Sequence, residues 1–197
     1  MWITAWLIEQ RLESGLVIVT EGSKFFYWLC MKILIWVIPG IYLIRISKSN
    51  VVLFPSGNLK QNLILGIGAG LILGLFALTV KFVRHQPLLS PSFTLAFLSG
   101  VIISPVLEEF LFRGAIQTTF KNHFSFIKAN SITSILFLGM HLPGWYFQGK
   151  LLANVQDAIQ RSLLIFVIGL VLGYVANKSG SIFSSTLAHI INNFFNI

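Results

Sequence analysis

The stretch Ile103 to Gln117, ISPVLEEFLFRGAIQ, sets Glu108 and Glu109 side by side in an apolar run, and after Glu21 the chain has only one other acidic residue, Asp157. On a helix Glu109 and Arg113 are four apart with the acid nearer the N-terminus, the favoured order for an ion pair. Glu108 is rotated by about 100° from Glu109. It has no local cation and must look to another helix, which suits a general base or acid working near neutral pH. Farther on, His141 follows Phe137 by four residues, and His189 shares a helix face with Asn193, beside Asn192. A base for water, an imidazole to share its proton and donors for an oxyanion are the raw material of hydrolysis. Structural roles stand beside these: His141 as a helix cap, His189 with Asn193 as interhelical hydrogen-bonding groups. Glu109–Arg113 is a supporting pair under either reading.

These residues need elements to carry them. The 197 residues are 55% hydrophobic and 10% charged, with a mean hydropathy of +0.82; soluble domains carry roughly 25% charge. Apolar runs approach the ~20 residues that cross a bilayer core. The expected fold is an all-α, polytopic integral membrane bundle of about six transmembrane helices, preceded by an N-terminal helix lying in the interface over residues 2–20. The spans are expected near 25–44, 62–80, 92–120, 131–141, 151–176 and from 182 to the C-terminus. The fourth is short and ends at HLPG, where Pro143 and Gly144 break it. Pro39 predicts a kink in the first span, and Lys32 there is close enough to one end to snorkel. Gly66, Gly70 and Gly74, like Gly169 and Gly173, recur at four-residue spacing; small residues so placed let backbones approach, here within the same bundle. Asp157 and Arg161 read as a surface i,i+4 pair.

A net charge of +8 does not imply nucleic acid. The basic residues fall singly or in pairs between apolar runs, where they anchor spans and meet anionic lipid head groups. Lys and Arg divide almost evenly between the two sides of a six-span arrangement, so charge assigns no orientation. The single cysteine, Cys30, forms no internal disulfide. The N-terminus does not read as a signal peptide, because Glu9, Arg11 and Glu13 interrupt its apolar core.

The polar residues, in this order, resemble the signature of the CPBP family of intramembrane proteases. That group contains the CAAX prenyl endopeptidases and the bacterial bacteriocin-processing and immunity (Abi) proteins. EEFLFR, Glu108 to Arg113, matches its Glu-Glu-x-x-x-Arg motif, with Gly114 following; FLGMH, Phe137 to His141, matches Phe-x-x-x-His; and HIINN, Ile190 and Ile191 between His189 and the two asparagines, matches His-x-x-x-Asn at Asn193. The resemblance divides the chain into residues 1–90, variable N-terminal membrane helices, and residues 91–197, the catalytic core, within one continuous membrane domain.

The resemblance implies a glutamate-based endopeptidase. Glu108, helped by His141, would activate water; His189 and Asn193 would stabilise the oxyanion; Glu109 and Arg113 would hold the helix. No cofactor is favoured, though zinc on Glu108, His141 and His189 is the alternative. The implied partners are a membrane protein or lipidated peptide, with prenylated CAAX substrates among them, and the implied location is the plasma membrane of a bacterium. Two other classes stand against this: a binding or immunity protein of the same fold, and a proton-relay or transport protein built on the same polar groups. No internal repeat of the transporter kind is evident.

Overall fold

Capping and apolar content together delimit the helices. A computed structural model describes residues 1–17, 20–55, 57–89 and 92–196. Its described residues form seven continuous helices and no strand: α1 (Trp2–Ser14), α2 (Glu21–Ser47), α3 (Leu59–Val83), α4 (Leu95–Lys121), α5 (Phe126–Phe147), α6 (Val155–Ser179) and α7 (Ile182–Phe195). Thr20 opens α2 through a capping box with Ser23. Asn58, Thr94 and Asn154 accept backbone N–H groups at the starts of α3, α4 and α6. These side chains satisfy donors that a helix cannot bond internally. Gly180, at φ +71°, ends α6 in the left-handed conformation that glycine tolerates.

Four of these helices, α2, α3, α4 and α6, are long and apolar enough to cross a membrane. The all-helical, multi-span expectation holds at that level. The expected fourth span is corrected, since α5 runs unbroken from Phe126 to Phe147 with Pro143 inside it. Helix α1 buttresses the turn that the proline weakens: Trp2 Nε1 donates to the Met140 carbonyl at 2.8 Å, and Trp6 packs where a Cβ on Gly144 would lie only 3.0 Å from its ring. Helix α7 is about 21 Å long by helical rise, short of the ~30 Å hydrocarbon core. Asp157 does not pair with Arg161; it meets Arg84 across the α3–α6 interface at 3.6 Å.

Helix α7 is the centre of the packing. Added Cβ atoms at Gly66, Gly70 and Gly74 would come within 2.8 Å of the Ser184 carbonyl, 2.7 Å of Ile191 and 2.2 Å of Phe195. The glycine stripe therefore seats α7 directly on α3, the intramolecular use the spacing suggests. Leu73, Ile168, Leu172 and Ala188 form the buried apolar core there. Gly173 does the same for α6: its missing Cβ leaves room for the Asn130 and Gln117 side chains, which donate to the Leu170 and Gly173 carbonyls.

Each proline of α2 and α4 follows a π-helical stretch, Ile33–Val37 before Pro39 and Leu98–Ile103 before Pro105. A proline lacks the N–H that its preceding turn needs and crowds the carbonyl below it; a widened turn accommodates both. In α4 the Ser104 N–H bonds to Ser99, and the Gly100 carbonyl, which Pro105 cannot satisfy in this register, accepts instead from Asn193 Nδ2 at 3.0 Å.

Candidate active site

Glu108 and Glu109 sit where the α-helical turn Ser104–Glu109 passes into a second π stretch, Phe110–Gln117. Both are buried, yet their surroundings differ. Glu109 is fully enclosed, with Oε2 3.5 Å from Arg113 Nε and Oε1 3.0 Å from His189 Nδ1. Arg113 is held in turn, its Nη2 donating to the Gly169 carbonyl at 3.1 Å and its guanidinium lying 4.8 Å over the Phe137 ring. Glu108 instead lines a cavity of about 310 Å³ together with His141.

His189 bridges the two carboxylates. A carboxylate only accepts hydrogen bonds, so the Nδ1 proton points to Glu109. That leaves Nε2 as the acceptor nitrogen, 3.9 Å from Glu108 Oε2. His141 shows the same pattern, because its Nδ1 lies 2.8 Å from the Phe137 carbonyl, which likewise takes a proton, and its Nε2 is left open. Phe137 is the hub beneath all of this: its ring packs edge-on against Phe112 at 5.2 Å and against His141 and His189 at 4.9 and 5.8 Å.

The structure thus links Glu108, Glu109, Arg113 and His189 through ion pairs, and His141 joins them through the Phe137 ring and the cavity wall it shares with Glu108. Asn193 stands apart from that cavity: one of its amide hydrogens is on Gly100, and it lines a separate depression with Gly100, Val101 and Asn196. Asn192 donates to Asn193 Oδ1 at 3.1 Å. Among the described residues, no group of three or more His, Cys, Asp or Glu side chains converges as metal ligands, and Glu108, His141 and His189 do not fit a zinc site in this arrangement.

One residue is placed quite differently from the expectation. Lys32 does not snorkel to a membrane surface. It is 9% exposed, donates to Ser104 Oγ and, at 3.5 Å, to Ser99 Oγ, and lines the same cavity as Glu108. The reason is steric and tertiary: Ser99 and Ser104, one turn apart across the π stretch before Pro105, offer it hydroxyls deep in the bundle, and the Trp36 ring lies 5.5 Å from its ammonium. Trp2, Trp6, Trp28, Trp36 and Trp145 complete the cavity wall. No sequence spacing links them to Glu108, since they meet only in the fold; the concentration of four tryptophans within the first 36 residues was the available signal.

A family model described as type II CAAX prenyl endopeptidase, Rce1-like, matches residues 90–195. That span contains every motif residue discussed above and excludes α1, α2 and α3. No curated protein and no solved structure matches the chain.

Proposed function

The chain belongs to the Rce1-like family of type II CAAX prenyl endopeptidases, and on that premise we propose that it hydrolyses a peptide bond near the C-terminus of a prenylated, membrane-associated protein by means of water activated at Glu108. The observation that carries this reading is the division of labour between adjacent glutamates: Glu109 is enclosed and ion-paired with Arg113 and His189, whereas Glu108 opens on the cavity beside His141. A carboxylate kept free of a tight cation at a water-accessible wall is a competent base.

In the proposed mechanism Glu108 takes one proton from a water whose oxygen bonds to the scissile carbonyl carbon, and the carbonyl pair moves onto oxygen. His141, through its open Nε2, orients that water. Nε2 of His189 faces Glu108 and is the next station for the proton; once protonated it hydrogen-bonds to the oxyanion and then gives that proton to the amide nitrogen as the carbonyl re-forms and the C–N bond breaks, while Glu109 stabilises the imidazolium through Nδ1. Asn193 shapes the π turn through Gly100, and its second amide hydrogen is proposed for the oxyanion of a substrate that reaches the depression Asn193 lines. No step is routed through a metal.

The test is cleavage of a panel of membrane-anchored peptides, prenylated and unprenylated, by the purified protein in lipid. The proposal expects cutting confined to prenylated members and lost in Glu108→Ala. A folded wild type that cuts none of them, or a Glu108→Ala variant that cuts as well as wild type, overturns it.

A further inference from the structure

Lys32 is a cation enclosed by the bundle without an anion at hydrogen-bonding distance. Its hydrogen-bond partners are neutral hydroxyls, and none of the ion pairs among the described residues includes it. An ammonium this deep costs free energy unless a counter-charge reaches it. Among the described residues Glu108 is the only carboxylate lining the cavity, and it makes no ion pair with Lys32. A second donor waits nearby: the Trp6 indole N–H is buried without an acceptor, and Trp6 borders the same cavity. Its neighbours Trp2 and Trp28 have found theirs, on Met140 and Glu9.

An ammonium bonded only to neutral hydroxyls and an indole N–H without an acceptor, in a tryptophan-walled cavity that also holds the base, describe a receptor for a small anion carried on an apolar chain. Resting on the protease reading above, we infer that Lys32 binds the C-terminal carboxylate of the substrate. A CAAX motif ends the chain, so its free carboxylate travels a few residues behind the scissile bond. An ammonium on the wall of the same cavity would then fix the position of that terminus relative to Glu108, and make the site an end-reader rather than a general endopeptidase. Lys32 and four of the five tryptophans, Trp2, Trp6, Trp28 and Trp36, come from α1 and α2, outside the matched span, so recognition of the terminus is supplied mostly by helices that precede the matched core.

The experiment compares one prenylated peptide as free acid and as C-terminal amide, in lipid nanodiscs. Cleavage is measured with wild type, and equilibrium binding with Glu108→Gln, each with and without Lys32→Met or Lys32→Arg. A charge-assisted contact predicts that the acid is preferred by about 10- to 100-fold, mostly in KM and in Kd. Lys32→Met should bring the acid-to-amide ratio close to one, and Lys32→Arg should recover most of it. If wild type cuts both peptides equally well, or Lys32→Met keeps the preference, the inference falls while the protease reading stands. If nothing is cut but the acid still binds more tightly through Lys32, the carboxylate site stands and the protease reading falls. If Lys32→Met does not fold, the acid–amide contrast on the unmutated protein and on Lys32→Arg decides.

Discussion

At the scale of single residues, the account rests on two neighbouring glutamates that are not interchangeable. Glu109 and Arg113 are both at 0% side-chain exposure, and removing one member of a buried pair leaves the other uncompensated, at a cost of about 3–5 kcal/mol. Glu109→Gln is therefore expected to lower the thermal unfolding temperature sharply, while Glu108→Gln, at the cavity wall, changes it little; differential scanning in detergent separates them. Equal destabilisation by the two would contradict the assignment. Phe137→Ala removes the ring under Arg113 and both imidazoles, and should cost about 3–5 kcal/mol as well as cleavage. The Glu109–Arg113 pairing was legible in the i,i+4 spacing, since both partners lie on one helix. The His189–Glu109 bond and the inward turn of Lys32 were not, because each depends on a partner dozens of residues away.

Elements explain why the site has this shape. Glycines at four-residue spacing correctly suggested close packing within the bundle, because the steric rule they follow is local to a helix face. Gly70→Leu should force α7 away from α3, where Ile191 and the Ala188 carbonyl already sit at the limit; overpacking of this kind costs about 1–3 kcal/mol. Since His189 rides on α7, cleavage should fall with stability, and a stable Gly70→Leu of full activity would contradict the packing argument. The reading of Pro143 as a helix stop failed because proline's penalty is local, whereas the support from Trp2 and Trp6 comes from α1. That helix carries its own testable charge. Glu9 is buried against α2 and accepts from Trp28 Nε1 at 2.7 Å; burial raises its pKa above 4.5, and the Trp28 bond only partly offsets that. A carboxyl whose folded pKa is raised contributes stability that is complete below the unfolded value and lost as pH rises through the folded one. Docking of α1 should weaken across that interval, read as a change in tryptophan fluorescence, and Glu9→Gln should flatten the profile. A wild-type profile as flat as the variant's would argue against it.

As a whole molecule, the chain is an integral membrane protein with its polarity turned inward. Side chains such as Ile72 and Phe82 lie outside, 71% and 70% exposed, while Arg113, Gln117, Thr133, Ser134 and Ser185 are buried. Composition alone announced this class, because a soluble domain ordinarily carries about 25% charged residues and this chain carries 10%. The number of crossings was less legible: α5 and α7 are recognisably helical in sequence, but whether a helix spans or only inserts is settled by length and neighbours, and α7 stops short. The site follows from the same inversion. Polar side chains that would be solvated in a soluble protein must find each other here, and Glu108 and Lys32, which lack a close counter-charge of their own, face the cavity.

The central claim is that Glu108 does chemistry rather than binding. The most direct measurement is to follow one prenylated peptide with wild type and Glu108→Gln in the same lipid, recording both its affinity and its rate of cleavage. The account predicts affinity within a few-fold of wild type and a cleavage rate lower by at least about 10³-fold, within the range for loss of a general base. A Glu108→Gln protein that binds the peptide and cuts it within tenfold of the wild-type rate would contradict it.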